Sequence, residues 1–314
     1  MRALPAHAAA LDPLRARWSA LPDNVRGAAW ILLSCLFFSS MAAIVKLLGS
    51  RLDSLQLSFF RALFGFLSIL PFVAWGGLAA VRTTRLGLHV SRGLLGATGM
   101  LCGFYAITHL SLAEATAIGF TKPLFMVVLA ALILGEVVRA RRWTATAIGF
   151  IGVLVMARPI GASVEVAALV ALIGAFAAAT VSLLIKRLSA TEGPLTILFY
   201  LGLVSSAVTL PLALIVWRQP SVLELALMAV AAAFASLAQV CMIRGFRIGE
   251  ASALAPFDYA RLPLAAGFGF LLFGEVPDLF TFAGAGLIVA STLYIARREA
   301  TLGKRERHPR TPLD

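Results

Sequence analysis

Two stretches decide the fold: Ala113–Glu136, AEATAIGFTKPLFMVVLAALILGE, and Ala253–Glu275, ALAPFDYARLPLAAGFGFLLFGE. Each is an apolar run long enough to span the hydrocarbon core of a bilayer, about 20 residues. Each carries one cation near its middle and stops at Gly-Glu. At an offset of 139 residues Lys122 aligns with Arg261, and Gly135-Glu136 with Gly274-Glu275. Offsets of 139–140 also relate Lys46 to Lys186, Leu70-Pro71 to Leu210-Pro211 and Cys102 to Cys241. A near-constant spacing over so many pairs marks an internal duplication.

The rest of the chain fits that frame. Of 314 residues, 60% are hydrophobic and 13% charged, about half the charge of a soluble domain. Mean hydropathy is +0.92. So few charges cannot cover a soluble fold, and disorder is excluded by the same composition. The expectation is an all-α integral membrane protein. Breaking the chain at charges and turn residues gives ten apolar stretches, near 27–48, 54–77, 87–110, 112–135, 142–158, 163–186, 194–217, 221–243, 250–274 and 279–297. Residues 1–26 read as a polar tail before a retained first helix, because the apolar run from Gly27 shows no convincing cleavage site. Residues 298–314 read as a solvated basic tail.

The net charge of +12 then becomes a topology signal. With the N-terminal tail placed inside, 19 of the 27 Lys and Arg fall on inside segments and three outside: Arg51, Arg158 and Arg218. Such asymmetry places both termini in the cytoplasm and accounts for the basic excess without nucleic acid. The remaining five, Lys46, Arg61, Arg92, Lys122 and Arg261, lie within spans. The duplicated unit, 27–158 and 163–297, holds five stretches. An odd number inserts consecutive copies with opposite orientation. The expected architecture is thus ten transmembrane helices as two inverted five-helix repeats, which allows two packings around a site near the midplane.

These features resemble the drug/metabolite transporter superfamily, EamA type. The resemblance rests on Ala113–Glu136 followed by Gly149-Phe150-Ile151-Gly152, and on Ala253–Glu275 followed by Gly284-Ala285-Gly286. It covers about residues 27–297. It implies ten helices, a central cavity and secondary transport of a small organic metabolite. Related proteins handle amino acids, opine-type metallophores, riboflavin, S-adenosylmethionine and drugs, and no universal binding residue carries over. The second copy departs from the first: Pro263 is displaced by one position from the equivalent of Pro123, and Pro256 is additional.

Ionisable groups inside the bilayer are functional candidates by default. Lys122 and Arg261, as repeat equivalents, are expected to approach one axis and to bind an anionic or carboxylate-bearing substrate. A structural neutralisation is the alternative. Asp258 lies one turn before Arg261 and is expected to face it. It is the candidate for proton coupling, with a permanent ion pair as the alternative. Tyr259, which aligns with Phe120, and Tyr105 are candidate cavity residues. Arg61, paired with Glu114, is expected to be structural or gating. Lys46 and Arg92 are expected to snorkel. Pro71 and Pro211 are candidate hinges. Gly96, Gly99 and Gly103 suggest close helix packing, with a homodimer face as the alternative to a monomer.

Catalytic, metal and cofactor signals are missing. Cys35, Cys102 and Cys241 sit in apolar runs without metal spacing, and the four histidines are scattered. No cofactor is expected, and an intramembrane enzyme is disfavoured. The functional expectation is an inner-membrane secondary active transporter for a carboxylate-bearing compound, an amino acid or opine-type metallophore, with export favoured. Import of riboflavin or S-adenosylmethionine is the alternative. A non-transporting membrane sensor or assembly partner is the alternative of another class, disfavoured by the absence of a soluble domain.

Overall fold

The computed structural model describes residues 21–77, 81–133, 140–157, 166–188, 191–248, 254 and 257–307. Glu136, Arg139, Arg158 and Pro256 lie outside the described residues, as does the side chain of Lys186. All regular structure among the described residues is helical: α1 (Asp23–Gly49), α2 (Ser54–Leu67), α3 (Leu70–Gly76), α4 (Leu86–His109), α5 (Leu112–Gly119), α6 (Lys122–Ile133), α7 (Ala140–Ala157), α8 (Val166–Leu188), α9 (Pro194–Ile215), α10 (Val222–Ile248), α11 (Arg261–Phe273) and α12 (Leu279–Arg307).

Among the described residues, seven helical segments are long and apolar enough to cross a membrane: α1, α2 with α3, α4, α5 with α6, α8, α9 and α10. Shorter apolar helices cover Trp143–Val155, Arg261–Phe273 and Leu279–Ser291. The outer surface is apolar: Trp75 is 92% exposed, Ile215 78% and Leu271 77%. In water such a surface would aggregate; in a bilayer it is solvated by acyl chains. α12 continues to Arg307, so the segment read as a tail from residue 298 is helical at its start.

Proline breaks three of the helices where a continuous span would run. A proline lacks the N–H that bonds the carbonyl four residues earlier. Pro71 frees Leu67, the last residue of α2; Pro123 frees Gly119, the last residue of α5. Pro263 frees Tyr259, whose carbonyl instead accepts the closer Leu262 N–H at 3.0 Å. Pro211 is different: α9 runs through it. The candidate hinges Pro71 and Pro211 therefore differ in the structure, one starting a helix and the other embedded in one.

The principal interfaces are α1 on α10, α4 on α8, α7 on α12 and α2 on α9, with α11 against α1 and α5. Small residues set the closest approaches. A Cβ on Gly152 would stand 2.8 Å from the Gly284 carbonyl, and one on Gly174 2.9 Å from Cys102 Cβ. Gly93 and Gly96 pack on Val204 and Leu201 of α9, and Gly99 faces α8, whereas Gly103 has open space beside it. Gly93, Gly96 and Gly99 of α4 thus serve packing within the chain.

Candidate functional site

The breaks at Pro123 and Pro263 build the site. Each leaves a cation as the first residue of the following helix, Lys122 on α6 and Arg261 on α11. Helix N-termini carry partial positive charge, so each break concentrates positive potential inside a span. The Arg261 guanidinium donates to Asp258 Oδ1 at 2.9 Å and stacks on Phe38 of α1, 4.5 Å from the ring centroid. Its buried Nε has no partner among the described residues. Cys35, on the same helix as Phe38, sets its thiol 3.5 Å from the Asp258 carbonyl and 3.8 Å from Oδ1.

An aromatic wall adjoins the charges. Tyr259 and Phe120 meet with ring centroids 4.8 Å apart. Tyr105 packs against the same core cluster and stacks on His109 at 3.9 Å. The structure therefore brings Tyr259, Phe120 and Tyr105 together beside the Asp258–Arg261 pair, with Lys122 at the other helix break. Two cations beside one carboxylate can hold a substrate carboxylate, and the wall can hold a planar ring. A groove of about 560 Å³ between α1 and α11 is lined by Leu32, Leu33, Leu36, Ala260, Pro263 and Leu264. It is apolar and Leu32, Leu33 and Leu36 are exposed, so it faces lipid rather than the charged cluster.

Other sequence expectations are corrected. Arg61 and Glu114 do not pair. Glu114 forms a capping box with Ser111 at the start of α5 and accepts from Thr281 at 3.2 Å. Arg61 folds along its own helix over Gly65, and α2 and α5 form no principal interface. Lys46 does not snorkel but forms an ion pair with Glu275. Arg92 is buried and donates to the Ile197 carbonyl at 3.1 Å.

Sequence reasoning missed Phe38. It also missed Gln56, fully buried, whose amide donates to the Arg218 carbonyl at 2.7 Å and accepts from the Arg218 N–H at 3.2 Å. Buried His89 beside Glu192, at 3.9 Å, was not expected either. Only Gln56 carried a usable signal, as an uncharged polar group in an apolar helix.

A multi-pass bundle with a charged cluster at two helix breaks is the architecture of a membrane transporter. The chain matches the EamA-like transporter family over residues 25–158 and again over 166–297. It belongs to that family, within the drug/metabolite transporter superfamily. It is 36% identical over 280 residues to the S-adenosylmethionine uptake transporter of Rickettsia prowazekii, covering 89% of this chain and 95% of that one. It is 33% identical over 303 residues to the riboflavin transporter of Rhizobium johnstonii, covering 96% and 97%. It is 33% identical over 274 residues to the pseudopaline exporter CntI of Pseudomonas aeruginosa, covering 86% and 96%. A solved crystal structure superposes with a TM-score of 0.58 at 19% identity, over 86% of this chain and 98% of that chain, and supports the fold alone. The chain is thus a multi-pass inner-membrane transporter of a small molecule, related to transporters rather than to enzymes.

Proposed function

We propose that the protein is a secondary transporter importing a metabolite with an amino-acid head and a planar ring, of the S-adenosylmethionine type. The cluster of Lys122, Asp258 and Arg261 beside Tyr259, Phe120 and Tyr105 carries this reading. In it, the substrate carboxylate takes Arg261 and Lys122, and the ring and cationic centre lie against the aromatic wall. The leaning to export rests on no residue, whereas the relatives named for S-adenosylmethionine uptake favour import. Export of an opine-type metallophore is the second reading. It is favoured by the match to the pseudopaline exporter and by the two site cations.

The proposed frame is ten spans in two inverted repeats, 27–158 and 163–297, with cytoplasmic ends at 1–26 and 298–314. Support comes from the packing. Shifting residue numbers by about 140 converts the α1–α10 interface into α8–α4, and carries α2–α9 and α7–α12 onto themselves. Asp258 is proposed to exchange a proton when the substrate carboxylate competes for Arg261.

Purified protein in proteoliposomes tests the substrate. Radiolabelled S-adenosylmethionine should accumulate saturably, with riboflavin and an opine metallophore as competitors. Flux of the metallophore alone would select the second reading; flux of none would reject both.

A further inference from the structure

At one end of the bundle Lys46 and Glu275 form an ion pair between the last turn of α1 and the link after α11. The same two side chains hold a third element. Lys46 Nζ donates to the Leu110 carbonyl at 2.5 Å, and Glu275 Oε2 accepts the Leu112 N–H at 2.9 Å. The α4–α5 link is thereby joined to α1 and α11. Lys46 also lies over the Phe273 ring, 5.6 Å from its centroid. The side chains are 14% and 19% exposed, shielded but next to solvent.

We infer that this knot is a latch that closes one end of the transport path and must part for substrate to pass. Its position supports this. α1 and α11 are the helices that supply Cys35, Phe38 and Arg261 to the candidate site. Lys46 lies 11 residues beyond Cys35, about 16 Å along a helix. Parting α1 from α11 at this end opens a way toward that cluster. Its chemistry supports it too. A permanent joint in a bundle is served as well or better by apolar packing than by a shielded ion pair. Charges are stable both when paired in the closed state and when hydrated in the open one, as a two-state contact requires.

The local backbone fits the same role. Glu275 sits over Gly269, where a Cβ would stand 2.7 Å from Oε2. Gly274, at φ 67°, turns the chain so that the carboxylate folds back. A left-handed glycine is an ordinary helix end; the open seat over Gly269 is what admits the carboxylate.

The test reads access to Cys35, which is fully buried with the latch closed. In detergent-purified Cys102→Ala/Cys241→Ala protein, N-ethylmaleimide labels Cys35 alone. Lys46→Gln should speed labelling about tenfold, within the usual range of coupling free energies. Gly269→Ala, which keeps both charges but displaces the carboxylate, should do the same. Folded Lys46→Gln protein that labels at the parent rate overturns the latch and leaves a static staple. If Lys46→Gln does not fold, Gly269→Ala decides by the same criterion. The readout is independent of cargo, so failure of the S-adenosylmethionine proposal leaves it intact.

Discussion

At the residue scale the chemistry turns on Arg261. It shares one oxygen of Asp258 and rests on Phe38, while its Nε has no partner among the described residues. A group so placed is oriented but not saturated. Arg261→Ala and Lys122→Ala should each raise the KM for S-adenosylmethionine uptake about 10- to 100-fold, the worth of a charged hydrogen bond, with the folded protein retained. Unchanged KM in both would move the site elsewhere. Asp258→Asn keeps the shape of the side chain and removes its proton exchange. Uptake driven by an imposed pH gradient should then be lost while counterflow of labelled substrate persists; unchanged gradient dependence would remove Asp258 as a proton carrier.

At the element scale the broken spans matter most. Pro123 deletes the bond to the Gly119 carbonyl and lets α6 begin at Lys122. Pro123→Ala restores that donor and should extend the helix across the break. The variant should be no less stable to heat in detergent, yet bind substrate more weakly because Lys122 turns away. Gly152 serves packing instead. A Cβ there would stand 2.8 Å from the Gly284 carbonyl, so a side chain must push α7 from α12. Gly152→Val should cost about 1–3 kcal/mol, read as a lower melting temperature in detergent.

At the scale of the whole molecule orientation is the open variable. The distribution of Lys and Arg predicts reporter fusions after Arg51 and Arg218 on the outer side and one after Arg142 in the cytoplasm. The reverse pattern would invert the proposed repeats relative to the membrane. The two loops bearing Arg51 and Arg218 lie together, since Arg218 donates to the Arg51 carbonyl at 3.3 Å and Arg51 pairs with Glu224 at 3.2 Å. They should therefore report the same side.

The sequence by itself determined the membrane character and the helical class, and its spacing set Lys122 and Arg261 at matching offsets in two apolar stretches. Composition and chain spacing are local quantities, and a bilayer converts them directly into helices. Asp258 and Arg261 were likewise legible, being one turn apart. Tertiary structure decided the partners that come from distant segments. Phe38 meets Arg261, Lys46 meets Glu275 and Gln56 meets the Arg218 backbone. Each depends on the rotation and depth of two helices far apart in the chain. In an apolar bundle those are set by packing of small and large side chains over whole interfaces, which no single stretch encodes. The helix breaks lie between the two cases: the prolines were visible, but whether each ends a helix, as at Pro123, or bends within one, as at Pro211, was settled by the neighbours.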